Sequence, residues 1–355
     1  MDSEWPTDFI ISPADTVLVT GATGFVGPAV VGRLLERGAR NVRCLARRSS
    51  DVSGLEALAA GRTAGRVAVV RGNLLSPADC DVAAEGAAVI FHLATSRNGK
   101  SYPDTFLNSV VTTRNLLEAA VRHGCLRRFV NVSSLAVYTN RGKPGRRLDE
   151  RCSVEIEPVL RGDAYCYAKV KQDEIVQEYA SQRKVRSVTV RPGYVYGPGK
   201  DGISSRVGIG TFGVFLHLGG GNTLPLTYVQ NCAEAIVLAG LEPGIDGEVF
   251  NVVDDNLPTS RRFLRLYKRH VRRFRSIYVP HVVSYWLCCA WERYSAWSHR
   301  QLPPTFNRRH WHAYWKQTTY SNEKVKASLG WAPRISTSDG LRRYFEACAA
   351  GGHHA

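Results

Sequence analysis

Short apolar segments alternate with helical patterns over the first 130 residues of the chain. Thr16 to Thr20 is a β-branched run that stops at a glycine, and Val26 to Arg37 follows it with helical spacing. The alternation continues with apolar runs and one more helical pattern: Asn41 to Ala46, Val67 to Gly72, Val89 to Ala94, Asn108 to His123 (the helical one) and Arg128 to Ser134. Strands that alternate with helices indicate βαβ units and a parallel sheet. Apolar runs without a two-residue period are typical of strands buried on both faces.

The pattern loosens in the second half of the chain. Glycine-rich stretches at 197–213 and 219–221 precede two strand-like pieces, Thr227 to Val229 and Glu248 to Val253, which we expect to return to the sheet. Ser260 to Gln317 has a helical, aromatic pattern. The sequence therefore predicts an α/β fold, a doubly wound parallel sheet with a smaller, mainly helical C-terminal lobe. We place the sheet domain at 12–195 with returning segments at 225–255, and the lobe at 196–224 and 256–345.

Composition supports a folded protein and excludes a disordered chain, a collagen-like repeat and a coiled coil, because 44% of residues are hydrophobic and 22% are charged. The formal net charge is +16. Thirteen Lys and Arg residues stand against Glu292 alone between Arg261 and Lys316, so this segment carries +12 of that charge. Three interpretations fit a basic, aromatic segment: binding to nucleic acid, contact with an anionic membrane surface, or ordinary amphipathic helices with a solvated basic face. We expect no specific binding of nucleic acid. Peripheral contact with a membrane surface through 261–316 is kept as an alternative to solvated helices.

The nine cysteines argue against a disulfide framework and a structural zinc site, because they are odd in number, dispersed and without a CxxC pair. His310 and His312 lack an accompanying cluster of acids or cysteines, so we expect no metal. The N-terminus is acidic, and no apolar run reaches about 18 residues. We therefore expect a cytoplasmic protein, with membrane-peripheral attachment as the open variant.

The strongest local motif is TGATGFVG, which runs from Thr20 to Gly27 at the end of one predicted strand and the start of a helix. Gly21 permits the tight turn, Gly24 allows the backbone to approach a pyrophosphate, and Gly27 lets the helix pack closely on the strand. The helix N-terminus adds free N–H groups for the diphosphate. The motif therefore predicts a dinucleotide site, with these contact residues: Gly21, Thr23, Gly24, Phe25, Val26 and Gly27.

The end of the second predicted strand bears on which dinucleotide is bound. Arg47 and Arg48 stand where an acid would hydrogen-bond the ribose of NAD, and Asp51 lies too far along the chain. A guanidinium there would meet a 2′-phosphate, so NADP(H) is favoured. If both arginines are simply solvated, NAD(H) remains the alternative.

A second motif supplies acid–base chemistry. Tyr165 and Lys169 are four residues apart on a predicted helix, so they share one face. A nearby ammonium favours the phenolate, which makes Tyr165 a usable proton donor or acceptor near neutral pH. Ser134, at the end of a predicted strand, would hold the substrate oxygen while a hydride moves to or from the adjacent carbon.

With these motifs the chain resembles the extended short-chain dehydrogenase/reductase superfamily, in particular the NAD-dependent epimerase/dehydratase family, over nearly its whole length. The segments that carry the resemblance are GATGFVG (21–27), FHLAT (91–95), FLNSVVTTRNLLEAA (106–120), NVSSLAVY (131–138), YCYAK (165–169), RPGYVYGPG (191–199), GEVFNV (247–252) and SNEKVKASLGWAP (321–333). The resemblance implies a Rossmann-type fold and Ser134, Tyr165 and Lys169 as the catalytic triad. It also implies cofactor contacts, with Asn73 in place of the family's usual acid: Asn73, Leu74, Ala94, Thr95, Lys169, Pro192 and Val195. We expect a homodimer that acts on a small-molecule substrate.

The branch of the superfamily is indicated by the stretch Asn222 to Asn231. Sugar-nucleotide enzymes often carry a diphosphate-clamping arginine there, whereas this chain has leucine and proline. The segment LTYVQNCAEAIVLA (226–239) resembles the 3β-hydroxysteroid and sterol-4-carboxylate 3-dehydrogenase branch, and so does the aromatic, basic tail that leads through Leu302 to Phe306. We therefore expect an oxidoreductase for the secondary alcohol or ketone of a hydrophobic, sterol-like or acyl substrate. The alternatives are a sugar-nucleotide 4-epimerase or dehydratase with tightly bound NAD, and a dinucleotide-sensing binding module without catalysis.

Overall fold

A seven-stranded parallel sheet forms the centre of the protein in a computed structural model that describes residues 5–60, 66–95, 101–298 and 306–351. The strands in chain order are β1 Thr16–Thr20, β2 Asn41–Ala46, β3 Arg66–Arg71, β4 Ala87–His92, β5 Arg128–Val132, β6 Arg147–Leu148, β7 Ser187–Pro192, β8 Tyr194–Tyr196, β9 Gly208–Thr211, β10 Val214–His217, β11 Leu226–Tyr228, β12 Val249–Val252, β13 Ser276–Tyr278 and β14 Thr319–Tyr320. The large sheet has the order β12-β7-β5-β4-β1-β2-β3. The predicted parallel α/β fold is confirmed.

Helices cover both faces of this sheet. In chain order they are α1 Gly27–Glu36, α2 Ser53–Ala60, α3 Pro77–Ala84, α4 Tyr102–Phe106, α5 Thr112–His123, α6 Ala164–Gln182, α7 Val229–Leu241, α8 Ser260–His270, α9 His281–Trp297, α10 Arg308–Tyr314, α11 Glu323–Leu329 and α12 Thr337–Gly351. Along β1, Val17 and Val19 pack into one hydrophobic core and Leu18 into another on the opposite face. Both faces are therefore buried, which explains why the strand sequences are continuously apolar.

The two strand-like pieces after residue 225 have different partners. β12 pairs in parallel with β7 and extends the large sheet, as expected. β11 instead pairs only with β8 in a separate two-stranded ladder, so the piece Thr227 to Val229 does not return to the large sheet. The reason is local: the chain leaves the large sheet where β7 ends at Pro192, and the next strand, β8, pairs with β11.

The smaller lobe contains α9 and α10 and a three-stranded sheet of order β13-β10-β9, and α8 borders it with Phe263, Leu264 and Tyr267 packed into the large core. Residues 321–345, which the sequence assigned to this lobe, include α11 and Trp331, and Val325, Leu329 and Trp331 pack into the large core beside α7. Leu302 to Thr305 of the segment quoted above lie outside the described residues. Among the residues described, none of the helices combines the length and the hydrophobicity that a membrane span requires.

Candidate active site

A cavity of about 370 Å³ opens at the carboxyl ends of the parallel strands, where open α/β sheets bind their ligands. Most of the residues predicted from the sequence line it: Gly21, Thr23, Gly24, Phe25, Val26, Gly27, Arg47, Asn73, Leu74, Ala94, Thr95, Tyr165, Lys169, Pro192 and Val195. Arg48 and Ser134 are not among its lining residues. The fold therefore brings the glycine turn, the end of the second strand and the tyrosine–lysine pair to one cavity.

The glycine turn is fixed by close backbone packing. Gly21 has φ +69°, and a Cβ there would lie 2.8 Å from the backbone nitrogen of Ala94. A Cβ at Gly27 would overlap the carbonyl oxygen of Ala22, so only glycine lets α1 begin this close to β1. At Gly24 a Cβ would meet only the Gly21 carbonyl, at 3.2 Å. The turn thus leaves open backbone on the side that faces the cavity, as a bound diphosphate requires.

Arginine side chains gather at the end of β2. Arg47 and Ser50 line the cavity, and Arg71 at the end of β3 donates from Nη1 to the carbonyl oxygens of Arg47 (3.0 Å) and Ser50 (2.7 Å). Asp51 accepts a hydrogen bond from the backbone N–H of Ser53 (2.9 Å), and this bond lowers the pKa of its carboxyl group. The acid thus holds the turn just before α2 and is not among the residues that line the cavity.

Asn73 follows β3, and its side-chain oxygen and backbone N–H both form hydrogen bonds within its own loop. Its Oδ1 accepts from the backbone N–H of Leu75 (3.0 Å), and its backbone N–H donates to Asp79 Oδ2 (2.7 Å). Asn115 Nδ2 in turn donates to the carbonyl oxygen of Leu74 (2.9 Å). The loop at this end of the cavity is therefore held in one conformation, with Asn73 and Leu74 facing the cavity.

The tyrosine–lysine pair lies on the first turns of α6. Asp163 caps this helix, because its Oδ1 accepts from the backbone N–H groups of Tyr165 and Cys166, both at 3.1 Å. Lys169 is buried, and its Nζ donates to the carbonyl oxygen of Val132 at the end of β5 (2.7 Å). Both side chains line the cavity one helical turn apart, so a phenol and a lysine amine share one site.

Two adjacent serines follow β5 and have different surroundings. Ser133 lines the cavity, and its hydroxyl donates to Asp173 Oδ2 (2.9 Å). Ser134 is buried, and its hydroxyl accepts from the backbone N–H of Ala136 (3.1 Å), which caps a short 3₁₀ turn at Leu135–Val137. The serine singled out from the sequence therefore acts as a backbone cap in this structure, whereas its neighbour lines the cavity.

Asp173 organises the buried wall behind Ser133. Besides Ser133 it accepts from Asn131 Nδ2 (2.7 Å) and Arg191 Nη2 (3.0 Å). Arg191 also donates from Nη1 to the hydroxyl of Tyr138 (3.0 Å). Asp173 stands four residues after Lys169 on α6, so Tyr165, Lys169 and Asp173 follow one another along one face of the helix.

A buried histidine links three strands and helices beneath the cavity. His92 ends β4, with Nδ1 2.8 Å from the Thr20 hydroxyl and Nε2 2.9 Å from that of Thr113. Burial, together with the positive charge of Lys169, lowers the pKa of His92 to about 3. The imidazole is therefore neutral near pH 7 and serves as a hydrogen-bonding joint.

Sequence reasoning missed several residues that line the cavity: Leu45, Ser50, Gly72, Leu93, Asn108, Thr112, Val132, Ser133 and Cys232. Asn108 lies in a π-helical segment, Leu107–Val111, between α4 and α5, and such segments are frequent at functional sites. The segment FLNSVVTT pointed to this helix, although not to Asn108 itself. The signal that could have pointed to Asp173 is its spacing, because it lies four residues after Lys169 and so on the same face of α6.

The residues present fit a bound dinucleotide, since the glycine turn leaves backbone open to the cavity and Arg47 and Ser50 line its far end. Thr23 and the start of α1 would hold the diphosphate. Leu93 to Thr95, which lie beside Gly21, line the same cavity as Tyr165, and so do Pro192, Gly193 and Val195. The described part of the chain contains no group of three or more His, Cys, Asp or Glu residues that could hold a metal ion.

Comparison with known proteins agrees with this geometry. Cinnamoyl-CoA reductase 1 of Oryza sativa subsp. japonica is 35% identical over 185 residues, which cover 51% of this chain and 54% of that protein. Sterol demethylase protein B of Methylococcus capsulatus is 35% identical over 188 residues, 52% of each chain. The chain thus spans about half the length of these two relatives. The structure of UDP-glucuronic acid 4-epimerase from Bacillus cereus in complex with NAD covers 94% of this chain and 99% of its own, with TM-score 0.70 and 19% identity, and so shares the fold.

A family model for the NAD dependent epimerase/dehydratase family matches residues 17–252, from β1 through β12. The match contains the glycine turn, the tyrosine–lysine helix and every strand of the large sheet. The chain therefore belongs to the NAD-dependent epimerase/dehydratase family of NAD(P)-dependent enzymes, within the extended short-chain dehydrogenase/reductase superfamily.

Proposed function

We propose that this protein is an NADP(H)-dependent oxidoreductase that interconverts a ketone and a secondary alcohol on a hydrophobic substrate. The observation that carries the proposal is the shared cavity: Tyr165 and the buried Lys169 line the same space as the glycine turn. The bound nicotinamide supplies or accepts the hydride. Every other task falls to side chains of this chain.

In this proposal Tyr165 exchanges the proton at the substrate oxygen. Lys169 lies one helical turn after Tyr165, and its ammonium donates to the carbonyl oxygen of Val132. Its positive charge favours the ionised form of the Tyr165 phenol. Ser134 holds the substrate oxygen in the triad inferred from the family resemblance. Since Ser134 is not among the residues that line the cavity, the loop after β5 would have to shift to bring its hydroxyl to the substrate.

Arg47 carries the proposed preference for NADP(H). It lines the cavity together with Ser50, and Arg71 lies against the same loop through its two carbonyl contacts. Asp51, the nearby acid, is occupied at the start of α2. A 2′-phosphate would therefore meet positive charge and hydroxyl groups there, which favours NADP(H).

The segment that precedes Tyr165 in the chain supports the proposal of an apolar substrate. The segment just before α6 presents the exposed side chains of Ile156, Val159 and Leu160, and the ring of Tyr167 packs edge-to-face with that of Tyr102, with centroids 5.2 Å apart. Leu224, where the sugar-nucleotide enzymes often carry their arginine, is buried in the large core. Exposed apolar side chains close to the start of α6 would suit a fused-ring or acyl substrate.

The nucleotide that accompanies the purified protein tests the proposal against the epimerase alternative. We expect NADP(H) that exchanges during dialysis, together with NADPH-dependent reduction of hydrophobic ketones. Bound NAD⁺ that resists dialysis, with interconversion of sugar nucleotides and no net reduction, would establish the epimerase instead. Dinucleotide binding without turnover on either class of substrate would favour the binding module.

The role of Tyr165 is tested by comparing two phenylalanine variants on one helix. Tyr165→Phe is expected to lower turnover by about 10²- to 10⁴-fold, because it removes the proton donor while leaving the glycine turn and Lys169 in place. Tyr167→Phe is the matched control, since it keeps the ring that packs on Tyr102 and should retain most activity. Cofactor titration should give nearly unchanged affinity for both variants. Turnover above a tenth of wild type for Tyr165→Phe would refute its acid–base role.

Two further proposals concern partners. We propose that the protein forms a homodimer, which sedimentation at several concentrations measures directly. We also propose peripheral contact with a membrane surface through 261–316, because this segment carries 13 basic residues against one acid. A hydrophobic substrate that resides in lipid would then lie close to the enzyme.

A further inference from the structure

Helix α9 has its apolar side outward. Ser284, Cys288 and Ser295 are buried against the lobe, whereas Trp286 is 66% exposed and Trp297 is 76% exposed. At 100° per residue the exposed side, apart from Ala296 at its edge, covers roughly 140° of the helix surface. Its members are apolar except for one arginine: Val282, Val283, Trp286, Leu287, Ala290, Arg293, Tyr294 and Trp297. We call these residues the outer face of α9.

The opposite side of α9 is fastened to the lobe by specific contacts. Trp311 of α10 donates from Nε1 to the Ser284 hydroxyl (2.9 Å), and its ring lies 5.1 Å from that of Tyr285. Farther along, Arg308 donates to Glu292 (2.9 Å). Because both ends of the helix are held by α10, the outer face is a fixed feature of the fold and does not result from a helix lacking a packing partner.

Apolar and basic residues extend the outer face on its N-terminal side. Ile277 and Tyr278 of β13 are exposed, and the guanidinium of Arg261 lies 5.2 Å from the centre of the Tyr278 ring. Arg272 and Arg273, in the turn just before β13, are exposed as well. Tryptophan and tyrosine beside arginine match the interfacial zone of a bilayer, where rings lie at the headgroup level and arginine meets lipid phosphate.

We propose that the outer face of α9 inserts into the interfacial layer of an anionic membrane, so that the helix lies parallel to the surface. The inference rests on the membrane contact proposed above for 261–316 and assigns it to one helix face. Charge decides between a membrane and a second copy of the chain: a symmetric dimer through this face would bring two strongly basic segments together, whereas an anionic bilayer neutralises them. Insertion also removes large exposed rings from water. A helix that is merely solvated on its basic face would have no need of exposed tryptophan side chains.

The test is co-sedimentation of the full chain with phosphatidylcholine vesicles, with and without phosphatidylserine, at low and high salt. The double variant Trp286→Gln/Trp297→Gln should lower partitioning onto the anionic vesicles by about tenfold or more, because it removes the two largest inserting side chains. Both residues are exposed and point away from the lobe, so the fold should be kept. Val82→Gln, an exposed apolar residue of α3 in the sheet domain, is the matched control and should bind as wild type does.

Each remaining outcome overturns the inference in a recognisable way. Wild-type binding that is equal in the double variant would leave membrane contact with 261–316 in place and remove α9 as its agent. Absence of wild-type binding even at low salt would refute both proposals. A dimer that the double variant dissociates, with no vesicle binding by either form, would show that a second copy covers the outer face. Binding that salt abolishes completely would assign the contact to charge without insertion.

Discussion

Asp173→Asn tests whether the buried carboxylate behind the site stabilises the fold as its contacts indicate. The side chain of Asp173 is 13% exposed and that of its partner Arg191 is 9% exposed, with Oδ2 and Nη2 3.0 Å apart. The variant keeps the shape of the side chain and removes its charge, and it replaces one of two acceptor oxygens with an N–H donor. Asn131 and Ser133, which both donate to the carboxylate, then compete for the one oxygen that can still accept a hydrogen bond.

The size of the effect follows from the burial of the guanidinium. Removing one partner of a buried ion pair costs about 3–5 kcal/mol, because the other charge is left without compensation. Arg191 keeps its hydrogen bond to the Tyr138 hydroxyl, and the amide oxygen still accepts one bond, so we place Asp173→Asn at the lower end, about 3 kcal/mol. Turnover should fall as well, because Ser133 must share the one remaining acceptor oxygen, which weakens the orientation of its hydroxyl in the cavity.

Glu174→Gln is the matched control on the same helix. It makes the same change of charge one residue away, in a surface ion pair with Lys171 (2.6 Å) whose side chains are 33% and 51% exposed. Such a pair contributes less than about 1 kcal/mol. Equilibrium unfolding in urea, with the same slope for both variants and wild type, measures the two losses. Equal losses below about 1 kcal/mol for both variants would refute the buried ion pair.

Three further results are expected. Ser134→Ala should reduce turnover more than Ser133→Ala if the family-derived triad is correct, and the reverse order in a steady-state assay would transfer that role to the serine that lines the cavity. Arg47→Asp should weaken NADPH binding and relatively improve NADH binding in a titration, because a carboxylate repels the 2′-phosphate; a wild type that prefers NADH contradicts this. His92 has a folded-state pKa of about 3, below its value of about 6.5 in an unfolded chain, so its contribution to stability is present above pH 6.5 and is lost as the pH falls, by up to about 1.4 kcal/mol per unit. His92→Gln should flatten that pH dependence in urea unfolding between about pH 7 and 5, and an unchanged slope would exclude the neutral buried imidazole as its source.

The sequence by itself determined those features whose physics is local. Three glycines at fixed spacing after an apolar strand specify a turn that few other residues can form, since Gly21 has a positive φ and Gly27 lies against the Ala22 carbonyl. The spacing of Tyr165 and Lys169 places them on one helix face wherever that helix packs. The alternation of strand and helix gave the parallel sheet because crossover connections leave few other arrangements.

Only the tertiary structure decided which side chains meet across elements. Arg71 reaches the end of β2, and Asp173 lies behind Ser133, because neighbouring strands and α6 bring together positions that are 21 to 40 residues apart in sequence. Ser134 caps a turn although its sequence is typical of the triad serine, since the backbone after β5 directs its hydroxyl to Ala136. On α9 the composition showed tryptophan and basic residues, but helical spacing cannot tell which side is covered. The packing of α10 against Ser284 determines this, and it leaves Trp286 and Trp297 facing solvent.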